Sequence, residues 1–157
     1  MKDIKISFFS SPPGDMRIVT ENNRLVELSF CETSQAKNTE ALPSLHRTVH
    51  EQLLAYFRGS LQSFDLPLEP AGTVFQRRVW DLLQAIPFGQ TLTYLQLARN
   101  LGDEKAVRAV GRANGQNPLA IVIPCHRVIG ARGKLVGYAG GIERKKWLLR
   151  HEGTLLL

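Results

Sequence analysis

Polar and apolar residues alternate through the first thirty positions, and the apolar ones later recur every three to four residues. The chain therefore reads as strands followed by helices. Residues 4–9, 16–20 and 25–30 predict three short strands. A Ser-Pro-Pro-Gly turn separates the first two. Glu21-Asn22-Asn23 separates the second and third, and asparagine's tolerance of positive φ makes that pair an antiparallel hairpin. Residues 31–42 are polar and predict irregular chain. Leu45, Val49, Leu53, Tyr56 and Phe57 fall at helical spacing and predict a helix over 43–58, with Gly59 as its C-cap. Residues 64–66 are expected to return as an edge strand, and Pro67, Pro70 and Gly72 mark a linker.

Beyond the linker the helices carry clear start signals. Thr73 and Gln76 have capping-box spacing, followed by Phe75, Val79, Leu82 and Leu83 on one face. Pro87-Phe88-Gly89 breaks that helix. Thr93 and Gln96 form a second box, opening a short helix through Leu97 and Leu101. Gly102-Asp103 makes a tight turn, and residues 104–114 predict the next helix. Two short helices joined this way, over about 93–114, form a helix-turn-helix. The apolar β-branched run at 121–123 predicts a buried strand leading to Cys125. A last helix is expected over 142–151, stopping at Gly153. The fold class is α/β in two small domains. Residues 1–70 form an N-terminal domain of antiparallel sheet with a helix, and residues 71–157 a mainly helical C-terminal domain.

Composition adds exclusions. The chain has 157 residues, 43% apolar and 22% charged, as in a soluble globular protein. No segment approaches the length of an apolar membrane span, and the N-terminal Met-Lys-Asp-Ile-Lys lacks a secretory signal, so a cytoplasmic setting is expected. Two cysteines, Cys31 and Cys125, supply neither a four-ligand zinc site nor a disulfide framework. No metal and no cofactor are expected.

Charge changes the picture more. Residues 1–70 carry a balance of −2 and residues 71–157 one of +8. Positive charge gathered in one half is the footprint of a polyanion, most often nucleic acid, although a solvated basic surface gives the same count. Lys105, Arg108 and Arg112 lie at i, i+3 and i+7 of the second helix of the pair. Ala106, Ala109, Gly111 and Ala113 on that helix leave room for close approach to a groove, or to another helix.

The chemistry sits in Pro124-Cys125-His126-Arg127. A thiol reacts as its thiolate, and an imidazole and a guanidinium beside it are expected to lower its pKa. The plainer reading is a buried structural cysteine. His46 and His50 stand four residues apart but lack a third metal ligand, so they read as a solvated helix face. Cys31 reads as packing, and Phe75, Val79 and Trp80 as core. Arg144, Lys145 and Lys146 read as a solvated or phosphate-touching face.

Ile121-Val-Ile-Pro-Cys-His-Arg-Val128 resembles the active-site signature of the O6-alkylguanine-DNA alkyltransferases. Phe75-Gln-Arg-Arg-Val-Trp80, Ile86-Pro-Phe-Gly89, Thr93-Tyr94, Arg108-Ala-Val-Gly111, Asn117-Pro118, Gly137-Tyr-Ala-Gly-Gly141 and Trp147-Leu-Leu-Arg-His-Glu-Gly153 follow that family's pattern in order. The likeness spans residues 72–157 and is looser before them, where it implies a ribonuclease-H-like domain. It implies direct-reversal DNA repair. An O6-alkylguanine, with O4-alkylthymine as a further lesion, would be flipped from duplex DNA and its alkyl group moved irreversibly to Cys125.

By the same resemblance His126 would be the base acting through a water, Glu152 would orient it, and Asn117 would hold the turn that supports the cysteine. Tyr94 would protonate the departing guanine and rotate the phosphate. Arg108 would fill the gap in the stack, with Lys105, Ala109, Arg112 and Asn114 on the DNA-binding surface. Tyr138, Gly137 and Ala139, with Val128 and Pro124, would wall the pocket. The partner would be double-stranded DNA with alkylated bases, entered through the minor groove by a monomer, cooperatively on long DNA. Ala120, Asn114 and Gly115 stand where some relatives carry bulkier residues, which suggests a pocket open to larger alkyl groups. The rival readings are a non-catalytic DNA-binding protein and a cysteine hydrolase.

Overall fold

The computed structural model describes residues 1–32, 38 and 41–154. It divides into two compact units, Met1–Ala71 and Gly72–Leu157.

In the first unit, strands β1 (Ile4–Ser11), β2 (Gly14–Glu21) and β3 (Arg24–Phe30) form an antiparallel sheet in sequence order. Asn22 and Asn23, at φ 50° and 61°, make the β2–β3 turn, a left-handed pair that asparagine accepts at low cost. Helix α1 (Ser44–Phe57) packs on β1 and buries Val49, Leu53 and Tyr56 alongside Met16, Ile18, Leu25 and Leu28. Residues 33–37 and 39–40, most of the stretch expected to be irregular, lie outside the described residues.

Two expectations fail in this unit. No strand forms over 64–66. The chain instead bridges Leu25 at Leu68, with Leu25 N–H donating to the Pro67 carbonyl and Glu69 N–H to that of Leu25. Pro67 keeps the contact to a single bridge because it supplies no donor of its own. His46 is fully buried rather than solvated. Its ring bonds the Ser7 hydroxyl through Nδ1 and the Thr20 hydroxyl through Nε2 at 2.8 Å, which satisfies both nitrogens inside the core.

In the second unit, α2 (Val74–Gln84) and α3 (Tyr94–Leu101) both start in complete capping boxes. Thr73 Oγ1 accepts from Gln76 N–H at 3.1 Å while Gln76 Oε1 accepts from Thr73 N–H at 2.8 Å, and Thr93 and Gln96 repeat the exchange. Gly102, at φ 95°, closes α3 in the left-handed conformation that favours glycine. The next helix starts later than expected. Asp103 accepts from Lys105 N–H and tightens residues Glu104–Ala106 into a 3-10 turn, so α4 is Val107–Gly115. Lys105 therefore lies on that turn, and the expected row of cations on the helix reduces to Arg108 and Arg112. Trp80 Nε1 donates to the Ala113 carbonyl at 2.9 Å and fixes α2 against α4. A two-residue parallel pair, β4 (Leu92–Thr93) with β5 (Val128–Ile129), precedes α3 on one side and follows the cysteine motif on the other. Helix α5 (Ile142–His151) ends at Glu152, with Gly153 in the left-handed region. No helix among the described residues is long and apolar enough to cross a membrane.

Candidate active site

The run at 121–123 is a turn, not a strand. Asn117 prevents extension. Its Nδ2 donates to the Ile123 carbonyl at 2.7 Å and the Leu119 carbonyl at 3.3 Å, and its Oδ1 accepts from Leu119 N–H at 2.9 Å. Backbone bonds from Val122 to Ala120 and from Ile123 to Leu119 finish the coil. Ile121 sits at φ 71° with its side chain buried, a strained geometry for a β-branched residue that persists because the surrounding bonds over-determine it. The turn delivers Cys125 into a 3-10 segment, Cys125–Arg127, whose three residues are all buried. Cys125 and His126 thus stand in a 3-10 turn rather than at the end of the buried strand expected from the sequence.

Beside the cysteine is a buried charged array. His126 Nε2 bonds Glu152 Oε2 at 2.8 Å, and Arg127 donates from Nε to Oε1 at 2.8 Å and from Nη2 to Oε2 at 3.0 Å. Arg127 Nη1 also donates to the Ile86 carbonyl at 2.7 Å. Burial raises the pKa of Glu152, but bonds from His126 and Arg127 outweigh it and hold the carboxyl at about 2. Burial pulls His126 below its ordinary value against the pull of Glu152, so the ring is neutral at pH 7. With Nε2–H facing the carboxylate, Nδ1 is the lone-pair atom, and it is buried with no protein hydrogen-bond partner among the described residues.

The thiol itself is pushed up, first by burial. The bond from Asn117 and the charge of Lys145 act in the opposite sense. The cation expected to do this was Arg127, but its guanidinium is committed to Glu152. Lys145, expected on a solvated or phosphate-touching face, is fully buried. Its Nζ donates to the Val128 carbonyl at 2.6 Å, Val136 at 3.2 Å and Gly137 at 3.3 Å, and burial lowers its pKa to about 8. Lys145 is the site residue that sequence reasoning missed, while Arg127 was singled out but serves Glu152 rather than the thiol. A signal existed for Lys145: it lies three and four residues before Leu148 and Leu149, on the inward stripe of α5.

Tyr94, the first residue of α3, follows β4 directly. Its hydroxyl donates to the Val136 carbonyl at 3.2 Å, and burial raises its pKa, as does the charge of Cys125. Tyr138 has its hydroxyl buried without a protein partner among the described residues, and burial lifts its pKa well above the ordinary value. Val128 and Pro124 are buried beside Cys125, whereas Gly137 and Ala139 are exposed. Lys105, Arg108, Ala109 and Arg112 are exposed, as a binding surface needs. Asn114 is not on that surface. It is buried, and its Nδ2 donates to the Cys125 carbonyl at 3.3 Å. Ala120 is half-buried, and Gly115 is exposed with open space where a Cβ would stand, so Gly115 does not shape a pocket wall.

A helix-turn-helix with exposed arginines on its second helix, and a buried cysteine whose carbonyl is bonded from that helix's inner face, defines a DNA-reading protein with a nucleophilic cysteine. Two family models match the chain: 6-O-methylguanine DNA methyltransferase, ribonuclease-like domain, over residues 4–70, and 6-O-methylguanine DNA methyltransferase, DNA binding domain, over residues 74–154. The chain belongs to the 6-O-methylguanine DNA methyltransferase family.

Its relatives include the methylated-DNA–protein-cysteine methyltransferase of Methanosarcina acetivorans, 45% identical over 94% of this chain and 97% of that protein. The crystal structure of Mycobacterium tuberculosis O6-methylguanine methyltransferase superposes with a TM-score of 0.85, at 42% identity over 96% of this chain and 93% of that one. A structure of the Mycobacterium tuberculosis OGT in complex with DNA gives a TM-score of 0.83 at 45% identity, over 94% and 91% of the two chains.

Proposed function

We propose that this protein repairs DNA by direct reversal, moving the alkyl group of an O6-alkylguanine in duplex DNA onto Cys125. One observation carries the reading: a buried cysteine next to a His126–Glu152–Arg127 array, in the unit that also bears the helix-turn-helix. The resting site holds a protonated thiol and a neutral imidazole, so the nucleophile is made only when needed. Nδ1 of His126 accepts the thiol proton through a water, while Glu152 favours the imidazolium that results. Sulfur attacks the alkyl carbon, the carbon–oxygen bond breaks, and its electron pair stays with the base oxygen. Tyr94 gives the departing guanine a proton, so the proton lost by the thiol balances the one the base gains.

Attack at sp³ carbon explains the stoichiometry. The product is a thioether, and the site contains nothing that hydrolyses one, so each protein acts once. The target atom lies inside the duplex, which requires the nucleotide to rotate out and Arg108 to fill its place. Arg108, Ala109, Arg112 and Lys105 would lie in the minor groove, with Tyr138, Gly137 and Ala139 lining the base pocket. O4-alkylthymine is the second lesion of this reading, and a monomer in the cytoplasm its working form. Support comes from the exposure of the helix-turn-helix cations, the basic balance of residues 71–157, and the family match. Incubation with duplex DNA bearing O6-methylguanine tests it: methyl transfer should plateau at one equivalent per protein, and repeated turnover would overturn it.

A further inference from the structure

We propose that Lys145 is a positioning residue for the alkyl transfer: its buried ammonium joins the two ends of the loop between Val128 and Gly137, and so holds the pocket wall and the resting place of the Tyr94 hydroxyl. The proposal rests on the alkyl-transfer reading above. Nζ donates to the Val128 carbonyl at 2.6 Å at one end of that loop, and to those of Val136 at 3.2 Å and Gly137 at 3.3 Å at the other. An ammonium has three N–H groups and no acceptor, so three carbonyls match it in full. The loop's own backbone turn spans 130–134, where Gly130 N–H donates to the Lys134 carbonyl at 2.7 Å. The bonds to the Val136 carbonyl come instead from side chains outside the loop, Lys145 and the Tyr94 hydroxyl, each at 3.2 Å.

Val128 follows the 3-10 segment of the cysteine, and Tyr138 follows Gly137, so the staple ties the thiol's backbone to the tyrosine of the wall. Without the ammonium, buried carbonyls lose their donor, and the loop regains partners only by opening to water. Burial holds Lys145 at about 8, and the neutral amine formed above that has two N–H groups for three carbonyls. The other titratable groups about it are Cys125 and His126, Tyr94 across the Val136 carbonyl, and Tyr138. On α5, Arg144 donates to the Gly140 carbonyl at 3.2 Å, and Glu143 pairs with Lys146. The two tyrosines are raised from 10 and His126 is lowered from 6.5, so these three do not titrate near pH 8. Ionisation of Cys125 speeds its reaction with any alkyl donor, whereas loss of the staple slows only the reaction that needs a positioned base.

The test uses the full chain and two alkyl donors, duplex DNA bearing O6-methylguanine in single turnover and methyl iodide, with methylation of Cys125 followed by peptide mapping. The ratio of the two rates cancels the ionisation of the thiol. In the wild-type protein that ratio should fall about 10-fold between pH 7 and pH 9, as the ammonium loses its proton. In Lys145→Arg, which stays charged, it should change less than about 2-fold. Lys145→Met should lower the ratio about 30-fold at pH 7 and remove its dependence on pH. Amide exchange over 129–138 should quicken in Lys145→Met while that of α2 and α4 holds. Equal losses with both donors in Lys145→Met would reduce Lys145 to an electrostatic aid to the thiol and overturn the proposal. A ratio in the wild-type protein that stays constant from pH 7 to pH 9, or unchanged exchange over 129–138, would overturn it as well. The wild-type series needs no variant, so the test stands if Lys145→Met does not fold. Failure of the wild-type protein to take up any methyl group from DNA would instead sink the underlying reading.

Discussion

Arg127 and Glu152 form a buried two-point ion pair, with Nε 2.8 Å from Oε1 and Nη2 3.0 Å from Oε2. The residue beside the nucleophile thus serves the far end of the array and leaves electrostatic support of the thiol to Lys145. Removing one partner of such a pair strands a charge in the interior, at a cost of about 3–5 kcal/mol. Arg127→Met should therefore lower the unfolding free energy of the second unit by about that amount, measured by urea denaturation. A stability unchanged within 1 kcal/mol would show that the pair is dispensable to the fold.

Glu152 sets the acid limit. Its carboxyl titrates at about 2 in the folded protein against 4.5 unfolded, so the unfolded state binds the extra proton between those values. The contribution is complete above about pH 4.5 and is lost as pH falls toward 2, on the order of 3 kcal/mol in all. His126 acts in the same direction at higher pH. Its folded pKa lies below 6.5, so stability falls as the unfolded ring charges below pH 6.5. Glu152→Gln should flatten the acid slope of stability in urea melts at stepped pH, and an unchanged slope would refute the assignment.

His46 should give the first unit its own acid sensitivity. Burial lowers its pKa, helped by the charges of His50 and Lys5, and both ring nitrogens already bond hydroxyls. Because the unfolded ring takes its proton first, stability drops as pH falls below about 6.5. Amide exchange of β1 and β2 should accelerate between pH 6.5 and 5.5 beyond the intrinsic trend, and less so in His46→Gln. Equal acceleration in both proteins would point elsewhere.

How much was readable from the chain follows the range of each force. Capping boxes at Thr73 and Thr93 are local hydrogen-bond patterns, so they and their helices were visible, as was the Asn22-Asn23 turn. The segment 121–123 was misread because its bending comes from Asn117, a side chain outside the run whose bonds override a β-branched preference. His46 and Lys145 were misread because polar identity outweighed position. Both stand on inward stripes, His46 three residues before Val49 and Lys145 three before Leu148, and their partners come from distant segments. Asn114 was placed on DNA because the helix was read as one face, although it lies two residues beyond exposed Arg112 and so points inward.

The two arginines of α4 should separate in their effects. On the proposed function Arg112 meets a phosphate, so Arg112→Ala should weaken binding to any duplex and reduce the salt slope by about 1. Arg108→Ala should depress methyl transfer from duplex DNA far more than from a single strand, because only the duplex needs the vacated stack filled. Titrations at several salt concentrations and paired rate measurements check both. Equal losses of rate on the two substrates would remove Arg108 from the flipping step.

Mass spectrometry of the intact protein after exposure to duplex DNA bearing O6-methylguanine tests the central claim most directly. The expected result is a gain of one methyl group, located on Cys125 by peptide mapping and absent in Cys125→Ala, with DNA binding retained by the variant. An unchanged mass in the wild-type protein bound to that DNA, or a methyl group on any other residue, would contradict it.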